Sequence, residues 1–120
     1  MKIVIAEDER IIALGLSSVL KKLGHDVRDL CASGELCIES VERNHPDVVF
    51  MDIRMDGLMD GIEAAHILKD RFGTPVVFTT AFDDNVTRER AAKVKPIAFL
   101  TKPIGSDSIR NVLDTISQHL

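Results

Sequence analysis

Residues suited to phosphoryl transfer follow four short apolar runs of the sequence. Glu7 and Asp8 follow the first run, Asp52 ends the second, Thr80 ends the third, and Lys102 follows the fourth. In an open sheet of parallel strands, ligands bind at the carboxyl ends of the strands, so these side chains should meet in one pocket. Three carboxylates, a hydroxyl and an ammonium group together would suit Mg²⁺ and a phosphoryl group.

The carboxylates of Asp8 and Asp52 are the predicted direct ligands of Mg²⁺, and Glu7 would coordinate directly or through water. Mg²⁺ takes oxygen ligands octahedrally and usually keeps several waters, so one or two carboxylates and a phosphate oxygen suffice. Without a cation, three adjacent carboxylates repel one another, which raises the pKa of at least one. The alternative for Glu7 and Asp8 is a solvated strand end followed by helix-capping acids.

Asp52 is the predicted nucleophile, because a carboxylate can accept a phosphoryl group as an acyl phosphate. Lys102 and the hydroxyl of Thr80 would then hold the phosphoryl oxygens, whereas Thr79 is expected to be an ordinary buried strand residue. The alternative for Lys102 is a surface lysine, but Pro103 directly after it favours a fixed geometry. Since about 5–6% of X-Pro bonds are cis, the sequence leaves the isomer open.

The elements that must position these residues alternate along the whole chain. Apolar runs of strand length and stretches of helical period predict repeated βα units and a parallel sheet. The almost continuously apolar first, third and fourth strands should be central, and the more polar second strand should lie at an edge. The predicted strands are residues 2–7, 27–31, 47–52, 75–80 and 97–101.

Five helices are predicted between and after the strands. Asp60 with Glu63 three residues later predicts a capping box at the start of the third helix. The fourth helix has only Val86 and its alanines to bury, so we expect it to open locally more readily than the others. The predicted helices cover residues 12–23, 34–43, 61–72, 84–93 and 109–120.

Composition limits the classes of function. The 120 residues fit one domain, residues 1–120, and a net charge of −4 argues against nucleic acid as a partner. No apolar stretch approaches the roughly 20 residues of a membrane span, and no signal-peptide core is visible, so we expect a cytoplasmic chain without membrane contact. Cys31 and Cys37 match no metal-ligand spacing and are expected to be buried thiols.

The chain resembles the receiver domain of two-component response regulators, of the chemotaxis-regulator type. The matching segments are KIVIAED at 2–8, VVFMDIRM at 48–55, DGIEAA at 60–65, TA at 80–81 and FLTKP at 99–103. The resemblance implies a flavodoxin-like, doubly wound α/β fold, with five helices around a five-stranded parallel sheet of order 2-1-3-4-5. It implies Mg²⁺-dependent phosphorylation of Asp52 by a sensor histidine kinase or a histidine phosphotransfer protein. The backbone carbonyl of Arg54 would be a further metal ligand.

The resemblance also implies a switch and an output surface. Thr80 would be drawn toward the phosphoryl group while Phe99 turns inward, although simple packing is the alternative for Phe99. Helix 4, strand 5 and helix 5 would form the output face, where a homodimer partner or an effector docks. The domain would catalyse only its own phosphorylation and slow dephosphorylation.

Two departures from the family pattern concern the predicted site. Glu7 stands where an aspartate is usual and adds one methylene to the acidic pair. Asp60 lies eight residues after Asp52, one more than the commonest spacing, and Asp56 stands where proline is usual. We therefore expect the intervening loop to bulge, and we interpret Asp56 as a solvated loop acid, with an approach to the metal as its alternative.

Other classes of protein fit less well. A Mg²⁺-dependent aspartyl-phosphate phosphatase usually has a second carboxylate two residues after its nucleophile, where this chain has Arg54. A phosphorylation-independent binding module would lack some of the acids, the threonine or the lysine, and none is lost. A nucleotide-binding flavodoxin-like domain would have a glycine-rich phosphate loop after the first strand.

Overall fold

Strands and helices alternate through the described part of the chain. The computed structural model describes residues 1–55, 57–81 and 83–119, so the predictions for Asp56 and for helix residue Leu120 lie outside the described residues. Predicted and observed elements agree within a few residues at their ends. The elements are β1 Lys2–Ala6, α1 Arg10–Lys22, β2 Asp26–Cys31, α2 Gly34–Asn44, β3 Val48–Asp52, α3 Gly61–Phe72, β4 Val76–Thr80, α4 Asn85–Ala92, β5 Ala98–Thr101 and α5 Ser106–His119.

The five strands form one parallel sheet in the order β2-β1-β3-β4-β5, which confirms the predicted fold class and places β2 at an edge. In the strand register, Asp52 is opposite Thr79, and Thr80 is opposite Thr101. The strands therefore end at nearly the same level. The polar residues that follow them share one edge of the sheet.

Helices cover both faces of the sheet, and each face has its own apolar core. One core joins Val4, Val49 and Phe78 of the sheet to α2, α3 and α4. Cys31 and Cys37 lie in this core as free thiols, as predicted. The other core joins Ile5 and the fully buried Phe50 to α1 and α5. Alternate residues of each central strand thus face opposite layers, which explains the continuous apolar runs in the sequence.

The helix starts follow local hydrogen-bonding rules. The predicted capping box of α3 is confirmed: the Asp60 side chain accepts from the Glu63 amide at 2.9 Å, and the Glu63 side chain accepts from the Asp60 amide. Ser33 caps α2 in a similar way, by accepting from the Leu36 amide. No helix in the described ranges has the length and apolar character that a membrane crossing requires.

The prediction that Val86 anchors α4 was wrong, because 68% of its surface is exposed. The buried stripe is Thr87 and Ala91 of α4 with Val94 just after the helix, at the spacing i, i+4 and i+7. Asp84 determines which side of α4 faces the core. The Asp84 carboxylate accepts from the amide of Thr87 at 2.8 Å and from the Thr87 hydroxyl at 3.0 Å. The Thr87 hydroxyl can be buried because it has that partner, and Val86 is left facing outward.

Candidate functional site

Three carboxylates meet at the carboxyl ends of β1 and β3. Each of Glu7, Asp8 and Asp52 offers an oxygen within 4.8 Å of the others, a spacing that allows them to hold one metal ion. Glu7 and Asp52 are each only 5% exposed, and Asp8 is half-buried. The Glu7 amide donates to the Cys31 carbonyl of β2 at 2.9 Å, which extends the strand pairing up to the cluster.

Lys102 enters the same cluster from the end of β5, 95 residues after Glu7. Its ammonium group forms a hydrogen-bonded ion pair with Glu7 and lies 3.3 Å from Asp52 Oδ2. The Lys102 amide donates to the Thr80 carbonyl at 2.7 Å, so the strand pairing continues up to this residue. The Lys102–Pro103 bond is cis, which the sequence had left open. Lys102 is therefore not a loose surface lysine.

The pKa values of these groups show an imbalance of charge. Burial, with the nearby Glu7 carboxylate, raises the pKa of Asp52 to about 7 although Lys102 opposes the change. Burial also acts to raise the pKa of Glu7, but hydrogen bonds from Lys102 and the Glu9 amide hold it below its usual value. Burial favours neutral Lys102, but the two carboxylates raise its pKa overall. One ammonium group thus leaves Asp52 incompletely compensated, as expected of a site for a further cation.

Two threonines at the end of β4 face opposite layers of the fold. Thr79 lines a cleft of about 450 Å³ together with Glu7 and Lys102. Thr80 is completely buried and, by the alternation of the strand, shares a face with Phe78. Phe99 is opposite Phe78 in the register and packs against the same core, so Thr80 and Phe99 lie on one side of the sheet.

Arg88 of α4 covers Phe99, a contact that sequence reasoning missed. Its guanidinium carbon lies 4.3 Å from the centroid of the Phe99 ring. Arg88 also pairs with Asp83, with Nη2 3.1 Å from Oδ2, and the Thr101 hydroxyl of β5 donates to Asp83 at 3.3 Å. These contacts join α4 to β5 at the surface. Arg88 and Phe99 are eleven positions apart in separate elements, so no local spacing in the sequence announces the contact.

The segment 53–60 carries Arg54 and begins at a residue held by two backbone hydrogen bonds. The Ile53 amide donates to the Thr79 carbonyl at 3.2 Å, and its carbonyl accepts from the Gly61 amide at 2.7 Å. Arg54 therefore follows a residue, Ile53, whose amide and carbonyl are both hydrogen-bonded. Glu35 of α2 contacts the far end of this loop, and sequence reasoning missed that contact as well.

Comparisons with known proteins agree with this geometry. The family model of the response regulator receiver domain matches residues 3–114. The transcriptional regulatory protein PdtaR of Mycobacterium tuberculosis is 34% identical over 102 residues, which cover 85% of this chain and 49% of PdtaR. A protein-glutamate methylesterase/protein-glutamine glutaminase of Archaeoglobus fulgidus is 30% identical over 108 residues, 88% of this chain and 31% of that protein.

A solved structure extends the likeness to three dimensions. The signal receiver domain of a modulated diguanylate cyclase from Desulfovibrio desulfuricans superposes with a TM-score of 0.91 at 31% identity, covering 98% of this chain and 94% of that one. The present chain spans about half the length, or less, of the curated relatives described. The family match, the sheet order and the relatives agree, and the chain belongs to the receiver domain family of two-component response regulators.

Proposed function

We propose that this chain is a phosphoacceptor: Asp52 receives a phosphoryl group from a phosphohistidine of a sensor histidine kinase or a histidine phosphotransfer protein, in a Mg²⁺-dependent reaction. The observation that carries the proposal is the convergence of Asp52 with Glu7, Asp8 and Lys102 at one edge of the sheet. The relatives described above carry names of different activities, so the receiver is their shared part. The proposal therefore concerns the receiver alone.

The donor set fits Mg²⁺, because carboxylate oxygens are the hard ligands that this ion prefers. Asp8, Asp52 and the backbone carbonyl of Arg54 would hold it. Both carboxylate oxygens of Glu7 accept hydrogen bonds, from Lys102 and from the Glu9 amide, which favours a role for Glu7 through water. Bound there, Mg²⁺ would neutralise charge on the carboxylates and on a phosphoryl oxygen.

The transfer itself uses the side chains of this chain. A carboxylate oxygen of Asp52 attacks phosphorus, the P–O bond forms, and the P–N bond to the imidazole breaks, with its electron pair leaving on nitrogen. Lys102, 3.3 Å from Asp52, is close enough to hold a second phosphoryl oxygen. The Thr80 hydroxyl would hold the third after the buried end of β4 adjusts. An aspartyl-phosphate phosphatase would use a carboxylate where this chain has exposed Arg54.

The first turns of α1 suit the docking of the phosphodonor protein. Ile11 is 86% exposed and Leu14 is 48% exposed, although both are apolar. α1 begins at Arg10, two residues after the acidic pair, so its first turns lie beside the site that would receive the phosphoryl group. Burial of Ile11 and Leu14 against the donor would favour the encounter.

The phosphoryl group adds nearly two negative charges beside Thr80, and we propose that the face formed by α4, β5 and α5 responds. The cleft between α4 and β5, about 560 Å³, is lined by Arg88 and Phe99 and would change shape as they move.

The free thiols of Cys31 and Cys37 are consistent with the proposed cytoplasmic location.

Intact mass spectrometry tests the phosphoacceptor. The chain is incubated with acetyl phosphate and Mg²⁺, and the adduct expected is about 80 Da. Asp52→Asn should show no adduct, and neither should wild-type protein with excess EDTA. A retained adduct in Asp52→Asn would place the phosphoryl group elsewhere, and an adduct that forms equally in EDTA would reject the metal requirement.

A further inference from the structure

The loop that follows Asp52 is anchored at its start and at its end. At its start, the Ile53 amide donates to β4, and at its end the Gly61 amide donates to the Ile53 carbonyl. Gly61 packs directly on the nucleophile, because a Cβ at this position would lie 2.0 Å from the Asp52 carbonyl oxygen. Between these anchors, a side chain of α2 also contacts the loop.

Glu35 makes that contact from the first turn of α2. One carboxylate oxygen, Oε1, accepts from the amide of Leu58 at 2.9 Å and from the amide of Met59 at 3.0 Å. The Met59 side chain rests against Gly34, where a Cβ would lie 3.1 Å from Cγ. Two adjacent amides of the loop are therefore held by one charged acceptor, which makes stronger hydrogen bonds than a neutral one.

Gly57 shows that the backbone is shaped around this carboxylate. Its φ of +122° lies in the region that L side chains rarely adopt. A Cβ at Gly57 would also lie 2.6 Å from Glu35 Oε2. The conformation of Gly57 favours glycine, and a Cβ there could be admitted only if the Glu35 carboxylate and the loop separated.

We propose that Glu35 is a positioning residue for the metal site: by holding the amides of Leu58 and Met59 it fixes the loop that carries the Arg54 carbonyl. This inference rests on the proposed function. Mg²⁺ requires near-ideal octahedral geometry, so a backbone ligand contributes fully only when its loop is held in place. Residues that orient metal ligands commonly change metal affinity about 10- to 100-fold when they are mutated.

Four variants separate this role from simple folding. Glu35→Ala removes the acceptor, and Glu35→Gln keeps one carbonyl oxygen and should restore most of the effect. Gly57→Ala keeps the Glu35 carboxylate but introduces a Cβ that forces it and the loop apart. Glu42→Ala removes an exposed acid of the same helix and is the control for charge.

The first measurement is amide hydrogen exchange in metal-free protein, in which Leu58 and Met59 should exchange at least about 10-fold faster in Glu35→Ala and Gly57→Ala. The second is Mn²⁺ binding by electron paramagnetic resonance, in which the Kd should rise about 10-fold in the same two variants. Urea denaturation of each variant checks that it is folded. Glu42→Ala should match wild type in all three measurements.

The outcomes distinguish the two proposals. Wild-type protein that bound no Mn²⁺ would overturn the proposed function, and the role of Glu35 with it. Wild-type binding that is equalled by folded Glu35→Ala would overturn only the role of Glu35. If Glu42→Ala weakened Mn²⁺ binding as much as Glu35→Ala, the loss of a negative charge would explain both, and this result would also reject the proposal.

Discussion

The loops after β3 and β4 lead from the same edge of the sheet into very different helices. After β3, Gly61 packs on the backbone of Asp52, and a capping box and Glu35 hold the chain that leads into α3. After β4, α4 is eight residues long, and within it only Thr87 and Ala91 are buried. The side that carries the nucleophile is fixed by backbone contacts, whereas α4 has only two buried side chains, its cap and ion pairs at the surface. The first arrangement suits chemistry and the second suits a switch.

Gly61→Ala should produce the largest effect on stability, because its Cβ would meet the backbone oxygen of Asp52 and no side chain can move aside. We expect the free energy of unfolding to fall by about 3 kcal/mol, at the upper end of overpacking effects. Urea denaturation is the measurement.

Gly15→Ala in α1 is the matched control for this substitution. Nothing lies within 4 Å of a Cβ at Gly15, so alanine there should stabilise the helix by about 0.5–1 kcal/mol. If Gly61→Ala were as stable as wild type, the β3 side would not be the rigid side, and the comparison would fail.

Asp52→Asn should stabilise the metal-free protein above neutral pH by on the order of 1–2 kcal/mol, in the range of favourable charge changes. The folded pKa of Asp52, about 7, lies above its usual value of 3.8, so between these pH values the folded state binds a proton that the unfolded state has lost. Wild-type stability therefore falls as pH rises through this window. Asparagine does not titrate, so the variant does not lose this stability. Urea denaturation from pH 4 to pH 8 in EDTA measures the difference.

The lowered pKa of Glu7 has the opposite effect on the pH dependence of stability. The stability that Glu7 contributes is lost only as pH falls below about 4.5. The two groups therefore act in different pH ranges. Asp114→Asn, at an exposed position of α5, makes the same change of side chain outside the acidic cluster and is the control variant. If the free energy of unfolding of wild type and of Asp52→Asn depended on pH in the same way, Asp52 would not be the carboxylate with the raised pKa.

Thr80→Ala should leave Asp52 able to accept phosphate but uncouple it from assembly on the α4 side. Thr80 is completely buried on the side of the sheet that carries Phe99, so its hydroxyl is placed to transmit the change. After acetyl phosphate treatment, we expect the mass adduct to remain. If the phosphorylated wild type dimerises through the face of α4, β5 and α5, as the resemblance implies, Thr80→Ala should weaken that dimerisation at least about tenfold in sedimentation.

Thr80→Ser keeps the hydroxyl and should restore dimerisation, which separates the hydroxyl from the packing of the methyl group. Assembly of Thr80→Ala at the wild-type level would reject the coupling through this residue.

The difference between the two sides also explains what the sequence could predict. The strands and the edge position of β2 follow from the apolar runs, whereas the full strand order was implied by the family resemblance. The meeting of Asp52 with Lys102 follows from parallel strands that end at one edge. Contacts between elements that are unrelated in sequence could not be predicted. Glu35 meets Leu58 across 23 positions, and nothing in either segment indicates the other.

The error at Val86 has a related cause. Apolar character is a good guide to burial when a helix has a strong apolar stripe, but α4 has almost none. In this helix the N-cap determines which side is buried: Asp84 accepts a hydrogen bond from the Thr87 hydroxyl, so the polar Thr87 is buried in place of Val86. Weakly patterned segments are thus the hardest to predict.

Arg88→Ala should have the smallest effect, because a cation over an aromatic ring at an exposed site contributes little. The guanidinium group stabilises the position that Phe99 has in this structure, so its removal should shift the population of Phe99 conformers about two- to fivefold. Relaxation dispersion of the Phe99 ring carbons in unphosphorylated protein measures this population. Arg71→Ala, which uncovers the ring of Phe72 in α3, is the matched control and should leave Phe99 unchanged. Equal Phe99 populations in wild type and Arg88→Ala would mean that Arg88 has no part in the switch.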